Sequence, residues 1–227
     1  MLDSETETTT TPRRPTALAA ALFIAPWGFV VANAAYAWAT RDGGSDSDGA
    51  GALALAAAHP GLTRLSALAA MLGSLLIVPA VLGVKRLIGD RSRRLAGIAA
   101  ALTAGGYICY FAIVSSSFVT LAMARHGGAA ADFATVLDEA QSDPSALWMF
   151  LLFVLGNIVG TVLLAVALFR SRAVAGWVAL ALGAWSPLHI VGLVVGSEWF
   201  EVAGAVSQAV ALAAVGRALL NTQARPA

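Results

Sequence analysis

Charge is scarce in this 227-residue sequence: Asp, Glu, Lys and Arg make up 12% of it and hydrophobic residues 59%, with a mean hydropathy of +0.78. That composition excludes an ordinary soluble globular domain. Cysteine occurs once, as Cys109, so no intrachain disulfide can form and the redox compartment leaves no signature. Three histidines, His59, His126 and His189, are too few for a multi-histidine metal site, and no two stand at haem-ligating spacing within a helix. HExxH, a Walker loop, a nucleophile elbow and a paired-aspartate motif for metal and diphosphate are all missing. Lysine is absent from the apolar runs, which excludes a retinal Schiff base. Neither a metal nor a cofactor is expected.

What the sequence does contain is six long apolar runs, 16–39, 63–84, 95–124, 147–169, 173–196 and 199–220, separated by polar joints. Each is near or above the ~20 residues an α-helix needs to cross the hydrocarbon of a bilayer. The expected fold class is all-α, an integral membrane bundle of six transmembrane helices spanning 16–220, with a disordered tail over 1–15 and a short tail over 221–227. With the N-terminus cytoplasmic, that side holds Arg13, Arg14, Lys85, Arg86, Arg91, Arg93, Arg94, Arg170, Arg172, Arg217 and Arg225, which is 11 of the 14 basic residues. Only Arg41, Arg64 and Arg125 fall outside, so the positive-inside rule predicts N-in and C-in, multi-pass, in the plasma membrane. The outer side carries Asp42, Asp46, Asp48, Asp132, Asp138, Glu139, Asp143, Glu198 and Glu201, 9 of the 13 acids.

The basic clusters sit at membrane ends, where anionic headgroups account for them, so the bilayer is the expected partner and nucleic acid is not. The first run extends beyond 20 residues, longer than the 7–15 of a signal-peptide core, and is expected to be a retained helix despite the Ala-Tyr-Ala triplet at 35–37. In the outer joints, the alanine-rich piece before His59-Pro60 and the segment holding Phe133, Val136, Leu137 and Ala140 are each expected to form a short interfacial helix. Asp143-Pro144 reads as a helix cap and first-turn pair. Small residues recur four apart at Gly97, Ala101 and Gly105, at Gly156 and Gly160, and at Gly192 and Gly196; such faces let helices approach closely, or could join two copies of the chain. Joint lengths give no sign of an inverted repeat.

Ionisable residues within a membrane are costly, and the spans hold two away from the cytoplasmic edge, His189 and Glu201. At ~1.5 Å per residue they lie about 10 Å and about 5 Å below the outer ends of consecutive antiparallel helices. An imidazole and a carboxylate at similar depth can share a proton or bind a cation or polar headgroup. The structural alternatives are a helix-dipole role for Glu201 after a Ser197 cap, and a hydrogen bond from His189 to a carbonyl freed by Ser186-Pro187. Asn33, Tyr110, Asn157 and Gln208 are expected to line a pocket with this pair, open to the outside, with interhelical hydrogen bonding as the alternative.

The order of spans, with the stretch 156–187 (Gly-Asn-Ile-Val-Gly, then Leu-Phe-Arg-Ser-Arg, then Gly-Trp and Trp-Ser-Pro), resembles alanine-rich actinobacterial six-helix membrane proteins classed under domains of unknown function. The resemblance implies the fold and carries over no catalytic residue. Three functions fit: a membrane protein that binds or passes a small lipophilic or polar molecule, or assists a neighbouring membrane system; an intramembrane acid–base enzyme, in the manner of small cyclases, with Glu201 and His189 as its catalytic pair; or a partner that packs against another membrane protein.

Overall fold

The computed structural model describes residues 14–126 and 128–223, and among them every regular element is helical. The expected tail over 1–15 lies outside the described residues up to 13; Arg14 and Pro15 already belong to α1. At the other end the last helix runs to Gln223, and 224–227 lie outside the described residues.

Among the described residues eleven α-helices follow in order: α1 Arg14–Thr40, α2 Gly49–Ala58, α3 Pro60–Ile88, α4 Arg93–Ser115, α5 Ser117–His126, α6 Ala130–Ser142, α7 Pro144–Val154, α8 Thr161–Ser171, α9 Gly176–Gly183, α10 Trp185–Val195 and α11 Trp199–Gln223. A 3-10 turn, Gly89–Ser92, joins α3 to α4, and a π-turn, Leu155–Gly160, joins α7 to α8. Among the described residues, five helical stretches are long and apolar enough to cross a bilayer: Thr16–Thr40, Pro60–His126, Pro144–Ser171, Gly176–Val195 and Trp199–Thr222. This is an all-helical, multi-pass integral membrane protein. The second stretch merges two of the apolar runs in the sequence because the 3-10 turn carries helix from α3 directly into α4. At ~1.5 Å per residue its 67 residues would measure about 100 Å if straight, against a hydrocarbon core of ~30 Å. Instead it folds back: Gly89 takes a left-handed φ of +60°, which glycine adopts without strain, and α4 returns alongside α3.

The long elements form a ring in chain order. The first helix lies against α3, α3 against α4, α4 against α7 and α8, α8 against α9, and α9 and α10 against α11, which returns to α1. Basic residues collect at one end of this ring. Lys85 and Arg86 close α3, Arg170 closes α8, and Arg91 Nη1 donates to the Ser171 carbonyl at 3.0 Å, tying the Gly89–Ser92 turn to the end of α8. At the opposite end the two joint segments expected to be helical form α2 and α6. They lie against each other and against α5, and the Gly49 amide donates to Asp138 Oδ1 at 2.6 Å. Asp143 caps α7 by accepting from the Ser145 amide at 2.7 Å, with Pro144 in the first turn.

In lipid, helices gain no hydrophobic energy from association, so close approach and dispersion decide the contacts. A Cβ on Gly106 would stand 2.7 Å from the Gly156 Cα, and one on Gly160 2.7 Å from Thr103 Oγ1, so α4 meets the π-turn almost backbone to backbone. Gly28 and Gly73 do the same for α1 and α3, 2.9 Å from Cβ position to Cα. The expected face at Gly97 and Gly105 makes no such contact: both look onto open space. Gly106, one residue and ~100° further round the helix, carries the crossing instead. Gly196 is likewise open and serves as the left-handed cap of α10, φ +70°.

Candidate functional site

Position 187 shapes the approach to the site. Proline lacks an amide proton and its ring crowds the carbonyl four residues back, so the 176–195 helix breaks at Ala184, between α9 and α10. Beyond the break α10 lies against α11, and two glycines permit the approach. A Cβ on Gly192 would meet Phe200 Cβ and the Ser197 carbonyl at 3.2 Å, and one on Gly204 would meet Trp185 Cδ1 at 2.8 Å. The intervening turn is closed by backbone hydrogen bonds, Phe200 N to Ser197 O and Glu201 N to Glu198 O.

Across this junction His189 Nδ1 contacts Glu201 Oε1. Trp185, one helical turn before His189, stacks on the imidazole at 4.9 Å and 14°, fixing the ring plane. The imidazole keeps 26% of its side-chain surface open and the carboxylate 14%, so both are reachable. Asn33 Nδ2 on α1 donates to the Glu201 backbone carbonyl at 3.5 Å, making α1 the third wall. Above the pair, Tyr36 donates its hydroxyl to Asp46 Oδ1 at 2.6 Å. Glu198 occupies the turn itself. Its partial burial raises its carboxyl pKa, and the charges of Glu201 and Asp46 raise it further, while His189 acts in the opposite sense.

The remaining candidates lie deeper. Asn157 sits in the π-turn and accepts a buried hydrogen bond from Tyr107, 2.8 Å from hydroxyl to Oδ1. Tyr110 instead stacks on Phe153 at 4.4 Å and 11°, and meets Tyr107 edge-on at 6.2 Å. Gln208, 5% exposed, makes no hydrogen bond among the described residues. The six candidates therefore resolve into an outer group, Asn33, His189 and Glu201, and deeper residues that each engage a different neighbour. Two surface hollows lie elsewhere: one of about 350 Å³ between α2, α5 and α6, lined by Leu53, Met123 and Phe133, and one of about 280 Å³ beside Lys85, Arg86 and Arg93.

Sequence reasoning missed Trp185, although its i, i+4 spacing to His189 was a usable signal. It also missed Asp46, which the 41–48 joint brings back against Tyr36 with no periodicity to announce it. An imidazole whose Nδ1 faces a carboxylate keeps Nε2 as an acceptor when neutral and as a second donor when protonated. Such a pair can hold or pass a proton and can accept hydrogen bonds from a cationic head. Among the described residues no three of His, Cys, Asp and Glu converge closely enough to hold a metal ion. Comparison with known protein families, curated proteins and solved structures finds no match to this chain.

Proposed function

We propose that the protein crosses the plasma membrane six times with both termini in the cytoplasm, and that it binds or passes a small polar or lipophilic molecule arriving from the outer side at His189 and Glu201. The orientation rests on the 11-to-3 division of basic residues, and the sixth crossing on the reversal at Gly89–Ser92. The observation that carries the functional reading is the imidazole–carboxylate contact between two helices, at a depth where an ionisable pair without a task would be disfavoured. Thermal unfolding of the full chain in lipid nanodiscs, screened against small amines, alcohols and carboxylates, tests it. A compound that stabilises the wild type should lose its effect in Glu201→Gln and in His189→Ala, and the double variant should lose no more than either alone. Additive losses would mean that the two groups act separately.

Two other readings have specific support. The same pair could perform acid–base chemistry on a lipophilic substrate, with Glu201 and His189 exchanging the proton. The open strip at Gly97 and Gly105 could seat a second copy of the chain or another membrane protein.

A further inference from the structure

The helical ring is closed at its basic end and open at the other. Near the basic end α8 lies directly against α9, and Ser186 Oγ donates to the Ile158 carbonyl at 3.3 Å, joining the start of α10 to the π-turn. Beyond that bond the two helical segments part. The helix α7 lies against α4 and α6, α10 lies against α11 and α9, and α7 and α10 share no packed face. Burial tells the same story: α7 has no buried residue, and α10 has three, Trp185, Ser186 and Gly192, with Gly192 turned to α11. A π-turn holds one residue more per closed ring than an α-turn, so the helix axis is displaced where α7 begins to diverge. The result is a V-shaped gap facing the hydrocarbon, with its vertex at Ser186 and Ile158 and the stacked rings of Tyr110 and Phe153 beside it.

We propose that this gap is a lateral entrance by which a cationic amphiphile, an amine head on a single alkyl chain, reaches His189 and Glu201 from the outer leaflet. The proposal rests on the reading of that pair as a ligand site and adds the class of ligand and its route. Charge supplies the head. Glu198 stands within electrostatic reach of Asp46, of Glu201 and of the His189 imidazole, and among the described residues none of the three acids is paired with Arg or Lys. Two turns deeper on the face of α11 that carries Glu201, the nearly buried Gln208 amide has no hydrogen-bond partner among the described residues, a further polar group available to a ligand. The route follows from the divergence of α7 and α10, while on the outer side the 41–48 connection is tied to α1 by the Tyr36–Asp46 hydrogen bond.

Dodecylamine bearing a diazirine at the chain end, photolysed with the full chain in phosphatidylcholine nanodiscs, tests both parts. Labelling should concentrate in 147–158 and 185–195, compared with equally lipid-exposed Leu68, Leu72 and Leu75 of α3. Unlabelled dodecylamine should suppress it, dodecanol and dodecanoate should not, and Glu201→Gln should reduce it about tenfold, as expected for loss of a charge-assisted hydrogen bond. Thermal stabilisation should grow from ethylamine to hexylamine to dodecylamine, since each buried methylene adds to binding. Even labelling over all exposed faces, with ethylamine as effective as dodecylamine and Glu201→Gln abolishing both, would overturn the entrance and leave the head site standing. No amine effect of any length would overturn the cationic ligand. A stable dimer covering α7 and α10 would overturn the open route.

Discussion

Glu198 and Tyr107 show at the residue scale how this bundle treats polar groups. Folding raises the Glu198 pKa above its ordinary value of 4.5, so the folded state prefers the protonated form. That contribution is fully present below the unfolded value and is lost as pH rises through the folded value. Replacement by Gln removes the cost of ionising this position: Glu198→Gln should raise the unfolding temperature at neutral and alkaline pH and leave it unchanged well below 4.5. Equal shifts at both extremes would refer the effect to something other than charge. Tyr107→Phe leaves the buried Asn157 Oδ1 without its donor and should cost about 1–2 kcal/mol, in the range found for interhelical hydrogen bonds in lipid. Thr103 presents the reverse case. Its Oγ1 is buried without a partner among the described residues, so Thr103→Val should be neutral or slightly stabilising, read by thermal unfolding in the same nanodiscs.

Elements were legible in the sequence wherever one strong local term governed them. Hydropathy alone marks the long helices; Asp143-Pro144 marks the start of α7, and Pro187 the break between α9 and α10. Two features were not legible. A 3-10 turn and an α-helix share one composition, so nothing at 89–92 announced that helix would continue through the reversal. A four-residue spacing of small residues fixes a face only if the phase is known, and in α4 the contact falls on Gly106 rather than on Gly97 and Gly105. Substitution separates the two faces. Gly156→Leu and Gly106→Leu should each destabilise strongly, since the new side chain would collide with backbone, whereas Gly97→Leu should leave unfolding unchanged. Destabilisation by Gly97→Leu accompanied by loss of a dimer would instead place that face at an interface between copies. The candidate pocket was legible only in part: His189 and Glu201 converge because a tight turn makes their depths match, while Asn157 finds Tyr107 through a π-turn that no sequence rule foretells.

For the whole molecule, a basic end and an acidic end define an axis, and the His189–Glu201 pair lies toward the acidic end beside Asp46 and Glu198. The functional reading depends on that end facing outward. Reporter fusions to the full chain at residues 45, 90, 135 and 172 measure this directly, through an enzyme active only outside the cytoplasm. The account predicts outside, inside, outside, inside. Any other order, above all 45 and 135 inside, would contradict it by turning the pair toward the cytoplasm or removing a crossing.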